Sequence, residues 1–196
     1  MIVVGLTGGI GSGKSTVAKQ FHKKFGIPTY ISDDEAKRLM VNSETIKSDI
    51  IALFGAEAYL GSALNKPLIS HAIFNNKALL EQMNAIVHPR VADHFKSWLS
   101  EQNAPYILKE SAILFESKGD KICDKIITVT LDKATKIERL LKRDDTTVEK
   151  IEAIMKQQWT DAMRIEKSDY LIVNDTIAHM EDQVAEIHNS ILNKFV

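Results

Sequence analysis

Short apolar runs alternate along the chain with longer stretches in which apolar residues recur every three or four positions. The runs are rich in β-branched and aromatic residues, which favour strands, whereas the longer spacing is typical of helices with one buried face. Strands that alternate with helices indicate an α/β fold built on a parallel sheet flanked by helices. Five strands are predicted, at residues 2–6, 27–31, 106–108, 126–131 and 170–173.

A long helical segment, residues 32–104, separates the second and third predicted strands. Pro89 falls within it and predicts a kink or break near His88, because proline lacks a backbone donor and clashes with the preceding turn. We therefore expect one domain whose core comprises residues 1–31, 105–135 and 168–196, with residues 32–104 as a helical insertion. Its helical spacing is carried by Ala78, Leu79, Met83, Ile86, Val87, Val91 and Phe95.

Composition narrows the class of function. The 196 residues suffice for one core of ordinary size, and 44% hydrophobic with 26% charged residues is usual for a globular protein. A formal net charge of −1 provides no overall field that would attract nucleic acid or a membrane surface. Cys123 has no partner for a disulfide within the chain, and the apolar start is too short for a signal peptide. We expect a cytoplasmic enzyme that acts on small molecules.

The first predicted strand leads directly into GGIGSGKST, residues 8–16, which fits the phosphate-loop pattern G-x-x-x-x-G-K-[ST] and precedes an amphipathic helix. Such a loop surrounds phosphate with backbone N–H groups at a helix N-terminus. Lys14 is expected to reach the β and γ phosphates, Ser15 to bind Mg²⁺ and Thr16 to support the α phosphate. The predicted nucleotide-binding residues of the loop are Gly9, Gly11, Ser12, Gly13, Lys14, Ser15 and Thr16.

The rest of the chain favours a small-molecule kinase among phosphate-loop proteins. The guanine-reading N-K-x-D motif of GTPases is missing, and the run before Asp132 is a poor match to the carboxylate motif of motor ATPases. Asp33 and Asp34 follow the second predicted strand, at the sheet edge where α/β folds bind ligands. Either carboxylate could orient or deprotonate an acceptor hydroxyl, or could simply cap the next helix.

Arginines that could cover a polyphosphate occur after the fourth predicted strand. Arg139 and Arg143 lie four residues apart on a predicted helix and so project from one face. Solvated ion pairs with Glu138 or Asp144 are the alternative role for them. Asn174 follows the last predicted strand, where the backbone could read adenine or merely form a turn.

Several segments together resemble one family. The opening GLTGGIGSGKST, residues 5–16, is similar to that of dephospho-coenzyme A kinases, and similarity continues in order along nearly the whole chain. Several separate matches in order are more specific than the phosphate loop alone. The later segments are ISDDEAK at 31–37, HP at 88–89, LFE at 114–116, KRDD at 142–145 and DYLIVN at 169–174.

This resemblance implies ATP-dependent phosphorylation of the ribose 3′-hydroxyl of dephospho-coenzyme A, the last step of coenzyme A synthesis, with ATP and Mg²⁺ as cofactors. It implies that residues 32–104 hold the acceptor and that residues 136–167 form a lid that closes over the phosphates. Asp33 aligns with the second aspartate of the family's D-A-D motif and becomes the catalytic candidate. The implied catalytic residues are Asp33, Lys14, Arg139 and Arg143, and the implied nucleotide contacts beyond the loop are Arg143, Arg164 and Asn174.

The chain departs from the family pattern at two positions. Ile31 stands where the first aspartate of D-A-D is usual, and Ala112 replaces the proline of P-L-L-F-E. Two alternatives therefore stay open at this point. One is a kinase of the same fold acting on a nucleoside, a nucleotide or a shikimate-like alcohol, and the other is a nucleotide-binding regulator without turnover.

Overall fold

The computed structural model describes residues 1–74 and 76–195. Five strands form one parallel sheet: β1 (Ile2–Thr7), β2 (Thr29–Ile31), β5 (Tyr106–Glu110), β6 (Lys125–Thr130) and β7 (Tyr170–Val173). Their order across the sheet is β2-β5-β1-β6-β7, so β1 is central. The predicted fold class is confirmed.

The helices that accompany this sheet begin with α1 (Lys14–Phe25), which follows the phosphate loop. After β6 come α6 (Lys133–Arg143), α7 (Val148–Gln157) and α8 (Asp161–Glu166), and after β7 comes α9 (Ile177–Phe195). β1 is buried almost throughout because helices and loops cover both faces of a parallel sheet. The main core lies between the sheet and helices α1 and α9, with Val4, Leu6, Phe21, Ile127 and Val184 among its members.

The opposite face of β1 packs closely against the segment after β5. A Cβ atom at Gly5 would lie 2.7 Å from Leu114 Cδ2 and 3.0 Å from Cys123 Sγ. A side chain at this position of the central strand would therefore require the Leu114 side chain to shift. Leu114, Phe115 and Ile126 form the core on this side, with Trp159 packed against it.

By compactness the chain divides into two units, residues 1–31 with 102–196 and residues 32–101. The second unit contains α2 (Ser32–Asn42), α3 (Glu44–Phe54), α4 (Lys66–Phe74) and α5 (Lys77–Ser100). A short antiparallel pair, β3 (Tyr59–Leu60) with β4 (Ala63–Leu64), joins α3 to α4. These two strands were not predicted, because two residues are too few to show the alternation typical of a strand.

The helix does not break at Pro89, because α5 runs unbroken from Lys77 to Ser100, and the alternative of a kink near His88 stays a prediction. Proline removes one hydrogen bond from the helix, but apolar contacts on both sides of it outweigh that loss. Met83 and Val87 are buried in the core of the second unit before the proline, and Phe95 is buried after it.

The second strand is shorter than predicted. Ile27 is buried but lies outside β2, since Gly26 ends α1 in a left-handed conformation with φ of 67° and the chain then has to turn. Within the described ranges 1–74 and 76–195, the helices lack the combination of length and apolar character needed to cross a membrane.

Candidate active site

The phosphate loop connects the carboxyl end of the central strand β1 to the N-terminus of α1. Gly11 and Gly13 have φ of 79° and 90°, values that side-chain-bearing residues rarely adopt. At Gly13 space is also limiting, since a Cβ atom there would lie 1.9 Å from Asn174 Nδ2. The first turn of α1 contains no acidic residue, so the helix terminus keeps its favourable potential for an anion.

Lys14 is held beneath the loop. Its Nζ donates to the carbonyl oxygens of Gly8 at 3.0 Å and Gly9 at 3.5 Å, and lies 3.8 Å from Glu110 Oε1. Glu110 is the last residue of β5, pairs in register with Leu6 of β1 and is only 4% exposed. Glu110 is not among the predicted site residues, because the third predicted strand ends at residue 108, two positions before the end of β5.

A pocket of about 350 Å³ opens beside the loop. The loop and the first turn of α1 form one side, α6 forms a second and the segment between β7 and α9 forms a third. This arrangement brings together the predicted contacts of the loop with three predicted residues from distant parts of the chain. The lining residues are Gly11, Gly13, Lys14, Ser15, Thr16, Arg139, Leu140, Arg143, Asn174, Asp175, Thr176 and Ile177.

Asn174 braces the phosphate loop from the end of β7. Its side-chain Nδ2 donates to the carbonyl oxygen of Ser12 at 2.9 Å, and its backbone N–H donates to Thr130 at the end of β6. The side chain is 5% exposed. The amide thus helps to hold the loop, a role different from the two predicted for Asn174, which were reading adenine and forming a turn.

Arg139 and Arg143 both project from α6 toward the pocket. Arg139 donates to the backbone oxygen of Asn174 at 3.1 Å. Arg143 is exposed and makes a two-pronged ion pair with Asp144, at 2.9 Å from Nε and 2.8 Å from Nη2. These hydrogen bonds lower the pKa of the Asp144 carboxyl and raise that of the Arg143 guanidinium. One of the ion pairs considered as an alternative is therefore present.

Arg164 lies elsewhere and is almost completely buried, at 1% exposure. It approaches Glu116 Oε1 at 3.3 Å and Asp161 Oδ1 at 3.5 Å. Asp161 also pairs with Lys136 and accepts from the Thr130 hydroxyl at 2.7 Å. Arg164 is thus part of a buried charge network, and the carboxylates of this network were not singled out from the sequence.

The same network borders a second cavity of about 250 Å³ on another side of the phosphate loop, where Gly9 contributes to the wall. Of the predicted nucleotide contacts, Gly9 and Arg164 line this cavity, and the other predicted contacts apart from Ser12 line the first pocket. Ser12 is fully buried within the loop.

Ser15 and Glu110 provide oxygen donors of the kind that Mg²⁺ prefers, a hydroxyl and a carboxylate.

Asp33 and Asp34 lie in the first turn of α2, directly after β2, and both are exposed. Asp34 pairs with Lys37 at 2.9 Å on the surface of the helix. Asp33 belongs to the second compact unit and the phosphate loop to the first. The assignment of Asp33 as the catalytic carboxylate stays a prediction.

Comparison with known proteins finds relatives that match nearly the whole chain. The sequence profile of the dephospho-CoA kinase family matches residues 2–179. A dephospho-CoA kinase of Bacteroides fragilis is 35% identical over 187 residues, which cover 95% of this chain and 91% of the relative. A crystal structure of a Thermus thermophilus protein superposes with a TM-score of 0.88 at 25% identity, over 96% of each chain. The fold is also that of a dephospho-CoA kinase from Campylobacter jejuni, with a TM-score of 0.62 over 96% of each chain at 18% identity. The chain thus belongs to the dephospho-CoA kinase family.

Proposed function

We propose that this protein transfers the γ-phosphoryl group of ATP to the ribose 3′-hydroxyl of dephospho-CoA, giving CoA and ADP. The observation that carries the proposal is the phosphate loop with Lys14 buried beneath it, opening onto a pocket lined by Arg139 and Arg143. Family membership supplies the identity of the acceptor. The alternatives of another acceptor and of a regulator without turnover are not favoured by the family.

In the proposed reaction the 3′-oxygen forms a bond to the γ-phosphorus, and the bond from phosphorus to the β–γ bridging oxygen breaks. ADP departs with the electron pair of that bond, and the proton of the hydroxyl passes to a carboxylate. Asp33 is our candidate for that carboxylate, because it lies in the first turn of the helix that follows β2 and its side chain is exposed. A positioned base of this kind typically accelerates a reaction by about 10² to 10⁴.

The loop and the cations act on the phosphates. Backbone N–H groups of the loop and the N-terminus of α1 would hold the β phosphate, with Lys14 reaching the β and γ phosphates and Thr16 the α phosphate. Arg139, Arg143 and Arg164 would neutralise charge as the phosphoryl group moves. We propose that residues 136–167 act as a lid that excludes water, and that residues 32–104 hold the acceptor.

Mg²⁺ is the expected metal, because phosphoryl-transfer enzymes use it to bridge and neutralise the β and γ phosphates. Ser15 and Glu110 would hold it, directly or through water. Among the residues described, three or more histidine, cysteine or carboxylate side chains nowhere gather into a metal cluster. Phosphate oxygens and water usually supply most of the ligands of this ion in phosphoryl-transfer sites. A cytoplasmic location and the absence of nucleic-acid and membrane partners remain predictions from composition.

The test is ADP release from ATP and Mg²⁺ with dephospho-CoA as acceptor, compared with adenosine, AMP, CMP and shikimate. Mass spectrometry of the product identifies where the phosphate has gone. We expect turnover selective for dephospho-CoA. Turnover with one of the rival acceptors instead would leave the phosphate-loop chemistry in place and reject the substrate, and nucleotide binding without transfer would support the regulator.

A further inference from the structure

A side chain that belongs to none of the motifs above forms a hydrogen bond with the backbone of the phosphate loop. The backbone N–H of Ile10 donates to Gln158 Oε1 at 3.0 Å. The second cavity is lined by Gly9, Ile10 and Gln158, whereas the loop residues that line the first pocket begin at Gly11. The bond therefore leaves the loop on the side that faces the second cavity.

The direction of this N–H determines where the carbonyl group of the same peptide points. Peptide bonds in the described chain are trans, so the N–H of Ile10 and the C=O of Gly9 point in opposite directions. The Gly9 oxygen accepts the Ser12 N–H at 3.2 Å and Lys14 Nζ at 3.5 Å. We propose that Gln158 is a positioning residue: through the Gly9–Ile10 peptide, it holds Lys14 in place.

Gln158 is itself held in place by its neighbour. The backbone N–H of Trp159 donates to Glu116 Oε1 at 2.8 Å. The Trp159 ring stacks on Phe115, with centroids 5.0 Å apart and an interplanar angle of 6°. Both partners lie in the segment that packs against the sheet, so the Gln158 amide is supported by the core rather than by a free loop.

The consequence is specific to part of the nucleotide. Lys14 is placed to contact the β and γ phosphates, whereas the base, the ribose and the α phosphate do not depend on it. A misplaced Lys14 should therefore weaken binding of ADP and ATP and leave binding of AMP unchanged. This inference rests on the proposed function only in taking a nucleotide polyphosphate as the ligand of the loop.

Gln158→Met tests the inference, because methionine has a similar length and lacks a strong acceptor. Gln157→Met is the matched control, since Gln157 is the exposed neighbour at the end of α7. Equilibrium binding measured by calorimetry should show about fivefold to tenfold weaker ADP and ATP in Gln158→Met, the usual effect of one lost hydrogen bond. AMP affinity should change by less than about twofold, as should all three affinities in Gln157→Met. Gln158→Ala provides a second measurement should the methionine variant fold poorly.

A double-mutant cycle with Lys14→Met shows whether the effect passes through Lys14. In the Lys14→Met background, Gln158→Met should cause no further loss of ADP affinity. Additive losses, an equal loss for AMP, tighter ADP binding or unchanged ADP affinity in Gln158→Met would each overturn the inference alone. Failure of the unsubstituted protein to bind ADP would overturn the proposed function together with it.

Discussion

Two neighbouring aspartates at the start of α2 have different surroundings. Asp34 forms an ion pair with Lys37, whereas in the described part of the chain the Asp33 side chain has no such pairing. An exposed ion pair of this kind contributes little to stability, so Asp34 is expected to matter little beyond the helix surface. A carboxylate without a fixed counter-ion is available to accept a proton from an acceptor hydroxyl.

Asp33→Asn should therefore lower kcat by about 10² to 10⁴, since the amide cannot take up the proton. The Kd for ATP should stay within about twofold, because the loop and its lysine are unchanged. Steady-state kinetics with dephospho-CoA and calorimetry with ATP provide the two measurements. Asp34→Asn is the matched control and should retain near-normal turnover. Equal activity in the two variants would remove Asp33 from the reaction.

Glu110 and Lys14 form a buried pair of opposite charges at the ends of adjacent strands. Neither side chain is more than 10% exposed, and their charged atoms lie 3.8 Å apart. Removing one member of such a pair leaves the other charge without compensation, which commonly costs more than the pair contributes. Glu110 thus compensates the buried positive charge of Lys14 when no phosphate is bound, in addition to any contact with a metal.

In the main core, the buried side chain of a histidine in α9 contacts both α1 and β5. His188 of α9 stacks on Phe25 of α1 with ring centroids 3.8 Å apart. Its Nδ1 is 2.8 Å from the hydroxyl of Tyr106, the first residue of β5. Burial lowers the pKa of the His188 imidazole, because a charged ring is poorly solvated there.

This contact makes stability depend on pH. Because the folded-state pKa lies below the unfolded value of about 6.5, the unfolded chain binds more protons as the pH falls. The stabilisation is complete above about pH 6.5 and is lost as the pH falls through the folded-state pKa. Urea unfolding at pH 7.5, 6.5 and 5.5 should show a falling free energy of unfolding in the protein and a weaker fall in His188→Gln. The same slope in both would assign the dependence to other groups.

The whole molecule contains two compact units, and the proposed chemistry uses residues of both. The pocket beside the phosphate loop and the charge network of Arg164 belong entirely to the first unit. Asp33 belongs to the second unit, which has a hydrophobic core of its own that includes Ile46, Ile50 and Ile69. Binding of the donor and of the acceptor should therefore be separable experimentally.

Hydrogen–deuterium exchange tests that separation. ADP with Mg²⁺ should slow amide exchange in residues 8–16 of the loop and leave peptides from α3 and α4 unchanged, because bound ligand suppresses local opening only where it contacts the protein. Dephospho-CoA should slow exchange within residues 32–101. Adenosine is the control for nucleoside contacts alone. Protection by dephospho-CoA restricted to the first unit would contradict the assignment of residues 32–104 as the acceptor lobe.

The sequence by itself determined the features that depend on local pattern. The first strand, the glycine-rich loop and helix α1 could be predicted from the sequence. Their backbone conformation and amphipathic spacing are encoded over a few neighbouring residues. The same holds for the parallel sheet, since alternation of strand and helix allows few other arrangements. Which side chains from distant parts of the sequence contact each other could be seen only in the tertiary structure. The bond from Asn174 to Ser12 spans 162 positions and that from Ile10 to Gln158 spans 148, and no periodicity relates such pairs. Burial of Arg164 and the pairing of Glu110 with Lys14 likewise follow from how strands and helices pack, because the cost of burying a charge depends on which partners surround it.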